Sequence, residues 1–311
     1  MKAVVLSDWG GAENFTVQDI PTPAIKPDEV LVKVKAFGVN PADFKTRSGA
    51  APYSKDYSHP IVLGWDMAGE VVEAGTDVTT FKPGDAVYGM VNFPKPGQAY
   101  AEYVAAPAAH LALKPATLSF EEAAAAPLAV LTAWQALTEH GQLKAGENVL
   151  IQAASGGVGH LGVQLAKALG AYVIGTASGK NEAFVRSLGA DAFIDYTQTS
   201  VEESVSDIDL VFDTAGADTI MASAKVLKPN GRLISIAYGA MDKVLAVRPD
   251  IRAERILVHT SGDDLRTINE FIDADKLKIS VSEVLPASQI ADAHQKLESR
   301  RTTGKIVLTF S

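Results

Sequence analysis

The chain has 311 residues, 47% of them hydrophobic and 21% charged, which is long enough for two domains of ordinary size and unlike a disordered protein. Its 37 acidic against 28 basic residues give a net charge of −9, which argues against nucleic acid or an anionic membrane as the main partner. No cysteine is present, so disulfides, thiol nucleophiles and thiolate metal sites are excluded.

The start, Met1-Lys2-Ala3-Val4-Val5-Leu6, runs straight into Asp8 and Trp9 without the longer apolar core of a secretory signal, and no run approaches a membrane span of ~20 apolar residues. A cytoplasmic protein is expected. Residues 1 to about 115 read as short strands broken by turns. Val30 to Ala36 alternates at period two, Met67 to Gly75 is a second strand, and Lys82-Pro83-Gly84-Asp85 is a turn before Ala86-Val87-Tyr88-Gly89. Regular turn signals between short strands predict a partly closed β-barrel.

The texture then changes. Ser119-Phe120-Glu121-Glu122 is a capping box that opens an alanine-rich helix, interrupted by Pro127, and a second helix runs through Val130, Leu131, Trp134 and Leu137. From there strands and helices alternate. Asn148 to Gln152 is a strand, Ala153 to Gly159 a glycine turn, Leu161 to Leu169 an apolar-periodic helix closed by Gly170, and Tyr172 to Thr176 a second strand. A helix near 181–188 follows, then a strand at Ala192-Phe193-Ile194, another at Leu210 to Asp213, a helix from Asp218 to Leu227, and strands at Arg232 to Ile236 and at Ile256-Leu257-Val258. Alternation at this spacing predicts a doubly wound parallel sheet, so the fold class is α/β. The tail has helical period over Leu265 to Ala274 and Ala287 to Leu297 and ends in a strand, Lys305 to Phe310. A terminal strand pairs with something already built, which assigns the last ~40 residues back to the first domain. The expected division is 1–122 with 270–311, and 123–269.

A glycine run after a strand and before a helix leaves backbone N–H groups facing a phosphate site at the positive helix end. Here the first glycine of the GxGxxG pattern is Ala154, whereas Gly156 and Gly159 hold the second and third positions. The strand-turn-helix-strand context supports dinucleotide binding by Ser155, Gly156, Gly157, Val158 and Gly159. An NAD site carries an acid at the end of the second strand, yet no acidic residue lies between Gly159 and Glu182. Ala177 stands there, followed by Ser178 and Lys180, a hydroxyl and a cation suited to a 2′-phosphate. NADPH is therefore preferred to NADH. The bland alternative is a solvated lysine at the start of the next helix.

Several segments in this order resemble one family, the zinc-independent quinone oxidoreductase branch of the medium-chain dehydrogenase/reductase superfamily. They are Gly38-Val39-Asn40-Pro41-Ala42-Asp43, Leu63-Gly64-Trp65-Asp66-Met67-Ala68-Gly69, Phe81 to Asp85, Ala153 to Gly159 and Thr303 to Leu308. The resemblance implies a GroES-like β-barrel catalytic domain, a Rossmann NADPH-binding domain, an active-site cleft at their junction and a homodimer. Zinc-dependent members carry Cys where Asn40 stands and His where Trp65 stands, and their third ligand falls near Leu128. None of the three side chains is a zinc donor, so no metal is expected. The six histidines are scattered without ligand spacing.

Asn40-Pro41-Ala42-Asp43-Phe44-Lys45 is similar to the segment of the plant-type enone and alkenal reductases in which the lysine of N-P-x-D-x-K bonds the nicotinamide ribose and points at the substrate carbonyl. Carried over, Lys45 stabilises negative charge on the enolate oxygen, Asn40 supports the cofactor, and Asp43 orients Lys45 or its loop. Read without the resemblance, Lys45 is an exposed barrel-rim lysine. Tyr196 resembles the tyrosine beside the adenosine 2′-phosphate. Ala215, Gly216 and Ile236 lie at strand C-termini where ligands bind in such sheets. Thr132 falls in the helix that approaches the nicotinamide in relatives, and Tyr53, Tyr57 and Trp65 are candidates for the substrate pocket. The implied activity is reduction of a small-molecule quinone or α,β-unsaturated carbonyl. An enoyl-thioester reductase and a non-catalytic NADPH-binding redox sensor or structural protein are the alternatives.

Overall fold

In the computed structural model the N-terminal apolar segment pairs at once with the segment after it: β1 (Lys2–Leu6) runs antiparallel to β2 (Phe15–Asp19). The structure describes every residue except Ala217, Asp218, Tyr238, Ala240 and Ser311, and, in Asp56, the side chain. The chain continues through β3 (Glu29–Gly38), α1 (Pro41–Arg47), β4 (Ile61–Val62), β5 (Asp66–Ala74), β6 (Ala86–Met90), β7 (Tyr103–Pro107) and β8 (Leu111–Leu113). Two helices follow, α2 (Phe120–Ala125) and α3 (Pro127–Gln135), and α3 leads into one π-helical turn, Ala136–His140. The capping box is present: Glu122 N–H donates to Ser119 Oγ at 3.1 Å, and Ser119 N–H donates to the Glu122 carboxylate at 2.8 Å.

The alternating half follows the expected order. It runs β9 (Asn148–Ile151), α4 (Gly159–Ala168), β10 (Tyr172–Ala177), α5 (Glu182–Ser187), β11 (Ala192–Asp195), α6 (Val201–Ser204), β12 (Ile208–Asp213), α7 (Ile220–Lys225), β13 (Leu227–Ser235), α8 (Met241–Val247) and β14 (Arg252–Arg255). These six strands form one sheet in the order β11-β10-β9-β12-β13-β14, parallel throughout. That is the doubly wound order with its switch point beside β9. Leu150, Val211 and Leu233 are buried from the sheet, as are Ile220, Ala224 and Val244 from the helices, because a parallel sheet is covered on its faces.

Two readings of this half are corrected or limited. The last strand is Arg252–Arg255, and Ile256-Leu257-Val258 is not strand, although Ile256 N–H still donates to Ser235 O at 2.9 Å. The strand occupies the sheet edge, where charged side chains are tolerated, so its polar sequence concealed it. The start of the helix expected from Asp218 lies outside the described residues, and its described part is α7.

The tail supplies α9 (Gly262–Asp273), β15 (Val281–Pro286), α10 (Ile290–Glu298) and β16 (Lys305–Thr309). As the terminal-strand argument requires, β16 pairs with a strand built early, antiparallel to β3 at Leu308↔Phe37. The larger barrel sheet runs β15-β16-β3-β5-β6-β8, with β7 also on β3, and the smaller runs β2-β1-β4. The chain divides into a first unit of 1–131, 259–273 and 279–311 and a second of 132–258 and 274–278. The first unit thus takes in residues 123–131 and 259–269, which the sequence assigned to the second. The reason is packing: α2 lies on β3 and β5, and α9 lies on β8. Among the described residues no helix is long and apolar enough to cross a membrane.

The packing of α2 on β3 is close enough to test. A Cβ on Gly38 would sit 2.4 Å from the Ala124 carbonyl oxygen, and backbone cannot yield as a flexible side chain does. Gly38→Ala is expected to destabilise the protein by about 1–3 kcal/mol, read as a lowered denaturant midpoint at unchanged m. An unchanged midpoint would show that α2 does not bear on this strand.

Candidate cofactor and active-site residues

The glycine turn lies where β9 ends and α4 begins, in the second unit. A Cβ on Gly159 would meet the Ala153 carbonyl oxygen at 2.2 Å, so the turn closes only over glycine there. The left-handed residue of the turn is Ala153, φ 49°, one position before the alanine that replaces the first glycine of the motif. Holding a non-glycine residue there costs about 1 kcal/mol, and its surroundings hold it. Gln152, buried beneath the turn, accepts from the Thr176 hydroxyl through its side-chain oxygen at 2.6 Å, donates to Ser223 Oγ at 3.0 Å, and accepts the Thr214 hydroxyl at its backbone oxygen at 2.7 Å. Ser155 to Val158 stay partly exposed above this support. The turn thus stands, partly exposed, at the start of a ten-residue helix.

At the end of β10, Ala177 is buried and Ser178 and Lys180 lie beyond it, with Lys180 exposed. Asn181 connects these parts, donating from one amide nitrogen to Ser155 Oγ at 3.1 Å and Ser178 Oγ at 3.3 Å. Tyr196 is 60% exposed just after β11, and its N–H donates to Ala177 O at 3.3 Å. The nearest acid is Asp195, which accepts from the Thr197 hydroxyl and N–H at 2.7 and 3.0 Å. Those bonds hold its carboxyl below the usual range, and it carries a negative charge close to Gly179. The sequence reading considered only the end of β10 and missed this neighbour.

The loop after β12 is ordered by a buried carboxylate. Asp213 Oδ1 accepts from Ala215 N–H and Gly216 N–H, both at 3.2 Å, and from the Thr219 hydroxyl at 2.9 Å, while Oδ2 accepts from Ser235 Oγ at 2.8 Å. Ile236 N–H donates to Asp213 O at 3.2 Å. Ala215, Gly216 and Ile236 therefore share one anchor, at the carboxyl ends of β12 and β13.

In the first unit, α1 presents the segment from Asn40 to Lys45. Pro41 occupies its first turn, where its missing N–H costs nothing, and the Asp43 carboxylate accepts the Asn40 N–H at 2.6 Å. That bond ties Asp43 to the residue before α1. The Asn40 side chain turns inward: its amide nitrogen donates to Asp66 Oδ2 at 2.9 Å and its amide oxygen accepts from Lys305. Asp66 Oδ1 accepts the Leu128 N–H at 2.8 Å, near the start of α3. Lys45 lies near the other end of α1, partly exposed.

Burial dominates the electrostatics here. It raises the Asp43 carboxyl to about 8, with Asp66 adding repulsion and the Asn40 N–H pulling the other way. It raises Asp66 only to about 6, because Lys305, Asn40 and Leu128 stabilise the anion. The Lys305 ammonium is pushed below its ordinary value by the same burial and pulled back by Asp66 and Asp43. Asp43 Oδ1 has no hydrogen-bonded partner among the described residues, and the Tyr100 hydroxyl faces this carboxyl electrostatically. Tyr100 Oη lies 3.2 Å from His294 Nε2.

Trp65 is 1% exposed in an aromatic cluster, its ring centroid 5.0 Å from Phe93 and 6.2 Å from Tyr53, with Nε1 donating to Lys95 O at 2.8 Å. Tyr57 is buried beside it and donates to Pro94 O at 2.6 Å. Tyr53 is the partly exposed member. Thr132 is buried within α3. Gln152, Asn181, Asp213, Asp66 and Lys305 escaped the sequence reading, although Asp66 and Lys305 lie inside segments it quoted.

A GroES-like barrel unit and a doubly wound nucleotide-binding unit in one chain define an oxidoreductase of the alcohol dehydrogenase type. The alcohol dehydrogenase GroES-like domain family matches residues 26–116, and the zinc-binding dehydrogenase family matches residues 188–308. The chain is 38% identical over 318 residues to the chloroplastic NADPH-dependent alkenal/one oxidoreductase of Arabidopsis thaliana, covering 99% of this chain and 79% of that one. Among solved structures it is similar to the quinone oxidoreductase from Coxiella burnetii, with a TM-score of 0.94 and 37% identity over 100% and 99% of the two chains. It is also similar to the Escherichia coli quinone oxidoreductase complexed with NADPH, with a TM-score of 0.90 and 29% identity over 99% and 100%. The chain belongs to the medium-chain dehydrogenase/reductase family.

His294 gives this unit a pH dependence. Burial, with the Arg47 cation adding to it, lowers the imidazole to about 3. Below about pH 6.5 the unfolded chain binds a proton that the native chain refuses, so stability is fully present above that pH and is lost as pH falls toward 3, by at most ~1.4 kcal/mol per unit. In His294→Gln the stability gap to the wild type is expected to narrow between pH 7 and pH 4.5 in urea titrations. Parallel curves would mean that the imidazole is not held neutral.

Proposed function

We propose that the protein is a zinc-independent, NADPH-dependent reductase that delivers hydride to a quinone ring or to the β-carbon of an α,β-unsaturated carbonyl. The observation that carries this reading is the capped segment Asn40 to Lys45, where Asp43 closes the N-terminus of α1 and Lys45 follows near its far end. A relative named for NADPH-dependent alkenal/one reduction, at 38% identity, supports it.

NADPH supplies the hydride when bound, and this chain's residues bind, orient and stabilise charge. Ser155, Gly156, Gly157, Val158 and Gly159 offer backbone donors to the pyrophosphate, where the shape of the cradle admits no added side chain at Gly159. Ser178, Lys180 and Tyr196 take the 2′-phosphate, supported by the absence of an acid at the end of β10. Asp195 lies close to Gly179, and although Thr197 engages its Oδ1, its negative charge is the feature of this region that counts against a 2′-phosphate. Ala215, Gly216, Ile236 and Thr132 serve the nicotinamide end.

Lys45 holds the ribose hydroxyl and stabilises the negative charge that grows on the substrate oxygen as hydride reaches carbon. A fixed cation in that role is worth about 3 kcal/mol. Asn40 and Asp43 act on the loop that carries Lys45, because their side chains point into the protein. Tyr53 offers the open aromatic surface for the substrate, with Trp65 packed behind it. A quinone or enone is already electrophilic, so it needs no Lewis acid. The donor chemistry at the relatives' zinc positions supports this, since the Asn40 amide is fully engaged and Trp65 and Leu128 offer no ligand atom.

The same reading takes the protein as a cytoplasmic homodimer. The outer edge of β14, unpaired among the described residues, offers a surface for a second copy.

NADPH and NADH oxidation measured against quinones, enones and alcohols tests the whole. NADPH-dependent turnover on quinones or enones, insensitive to chelator, is expected. Lys45→Ala is expected to lower kcat on enones at least about tenfold. Lys180→Ala is expected to raise KM for NADPH several-fold with kcat nearly unchanged, the modest size following from its exposure. Unchanged kinetics in the first variant would remove Lys45 from the mechanism, and a wild-type preference for NADH would overturn the phosphate site.

A further inference from the structure

Lys305 is the residue whose burial the reading above leaves unused. It lies at the start of β16, 4% exposed, with an ammonium that must find compensation inside the protein. It donates to the Asn40 side-chain oxygen, lies 3.4 Å from the Val39 carbonyl oxygen, and lies 3.8 Å from Asp66 Oδ2. These contacts lead to two different segments. Val39 and Asn40 are the two residues before α1. Asp66 opens β5 and holds the Leu128 N–H at 2.8 Å near the start of α3. The Asn40 amide is then bonded at both ends, to Lys305 and to Asp66. Asp43 accepts the Asn40 N–H from within α1, so the same residue that Lys305 and Asp66 hold is also tied into the capping box of α1.

We propose that Lys305 is a positioning residue for the hydride-transfer step, a buried cation that fixes Asn40 and Asp66 and thereby sets the direction in which α1 presents Lys45. The inference rests on the proposed reductase function, but it names a different residue, on the last strand, whose polar contacts are Asn40, Val39 and Asp66. A hydrophobic strand end would stabilise β16 beside β3 equally well. The cation adds fixed direction: it pins a side-chain oxygen whose amide partner is committed to a carboxylate, and that carboxylate is committed to a third segment. Because buried ion pairs contribute little net stability, a directional role explains their retention better than a stabilising one.

The test compares wild type, Lys305→Met and the double variant Lys305→Met with Asp66→Asn, all full length. The single variant strands a buried carboxylate and is vulnerable to misfolding; the double variant removes both charges together and retains the fold. In the double variant kcat on a small enone is expected to fall at least about tenfold while KM for NADPH stays within about threefold, since a misdirected catalytic group costs rate more than binding. Independently of turnover, amide hydrogen exchange of a peptide covering residues 38–48 is expected to accelerate while peptides from β9 to β13 keep their protection. A folded double variant with wild-type kcat, or with unchanged exchange at 38–48, overturns the proposal. If the wild type itself turns over no quinone or enone with NADPH, the reductase reading fails, and the exchange pattern alone then decides whether Lys305 orders the loop.

Discussion

A carboxylate with no exposed surface, Asp66, is the fixed point of the first unit. Burial works against its charge, so it exists as an anion only because an ammonium, an amide and a backbone N–H converge on it. Those partners come from β16, the residue before α1, and α3. Removing any one leaves the others facing an unbalanced charge, which is why parts of the chain far apart in sequence cannot drift independently. The positive charge next to Asn40 is the Lys305 ammonium, covalently part of the chain.

Beneath the glycine turn of the second unit the order comes from neutral groups. Gln152 is saturated by Thr176, Ser223 and Thr214, and it lies directly under the turn that the backbone strain at Ala153 would otherwise distort. Asp213 does the equivalent work at the end of β12, with every partner a neutral donor. The difference follows from what each unit must present. A dinucleotide brings its own negative charge and needs backbone donors held still in a cradle. In the proposed reaction, charge on the carbonyl oxygen develops only transiently, and the role proposed for Lys45 is that of a cation in place before it appears. A chain with net charge −9 makes both positive features locally, one from backbone dipoles and one from side chains.

What was legible in the sequence is what depends on local order. The strand-turn-helix from Asn148 to Leu169, the capping box at Ser119 and the alternation of Val30 to Ala36 each follow from neighbours along the chain, and each stands where the residues indicated. The return of the last strand to the first unit was legible from the rule that a terminal strand needs a partner. The strand at Arg252–Arg255 was not, because its polar residues suit a sheet edge that only the completed sheet defines. The unit boundary near α2 was hidden for a related reason. The alanines of α2 carry no sign of which sheet they cover, and the close approach at Gly38 exists only once β3 is in place. At the site, motifs gave Asn40, Asp43 and Lys45, but the partners that orient them lie 26 and 265 residues from Asn40. No spacing rule spans such distances.

Lys305 illustrates how far such a partner can be concealed in plain view. In the sequence it reads as an ordinary lysine before an apolar strand, the kind that normally snorkels to water. Here it is buried instead, and its ammonium reaches the Asn40 amide, the Val39 carbonyl and Asp66. A lysine tolerates that environment only if its partners were in place when the sheet closed, since an unpaired charge there costs several kcal/mol. The final strand of the barrel thus brings its buried ammonium directly against the segment before α1, so the strand pairing and the order of that segment bear on one another.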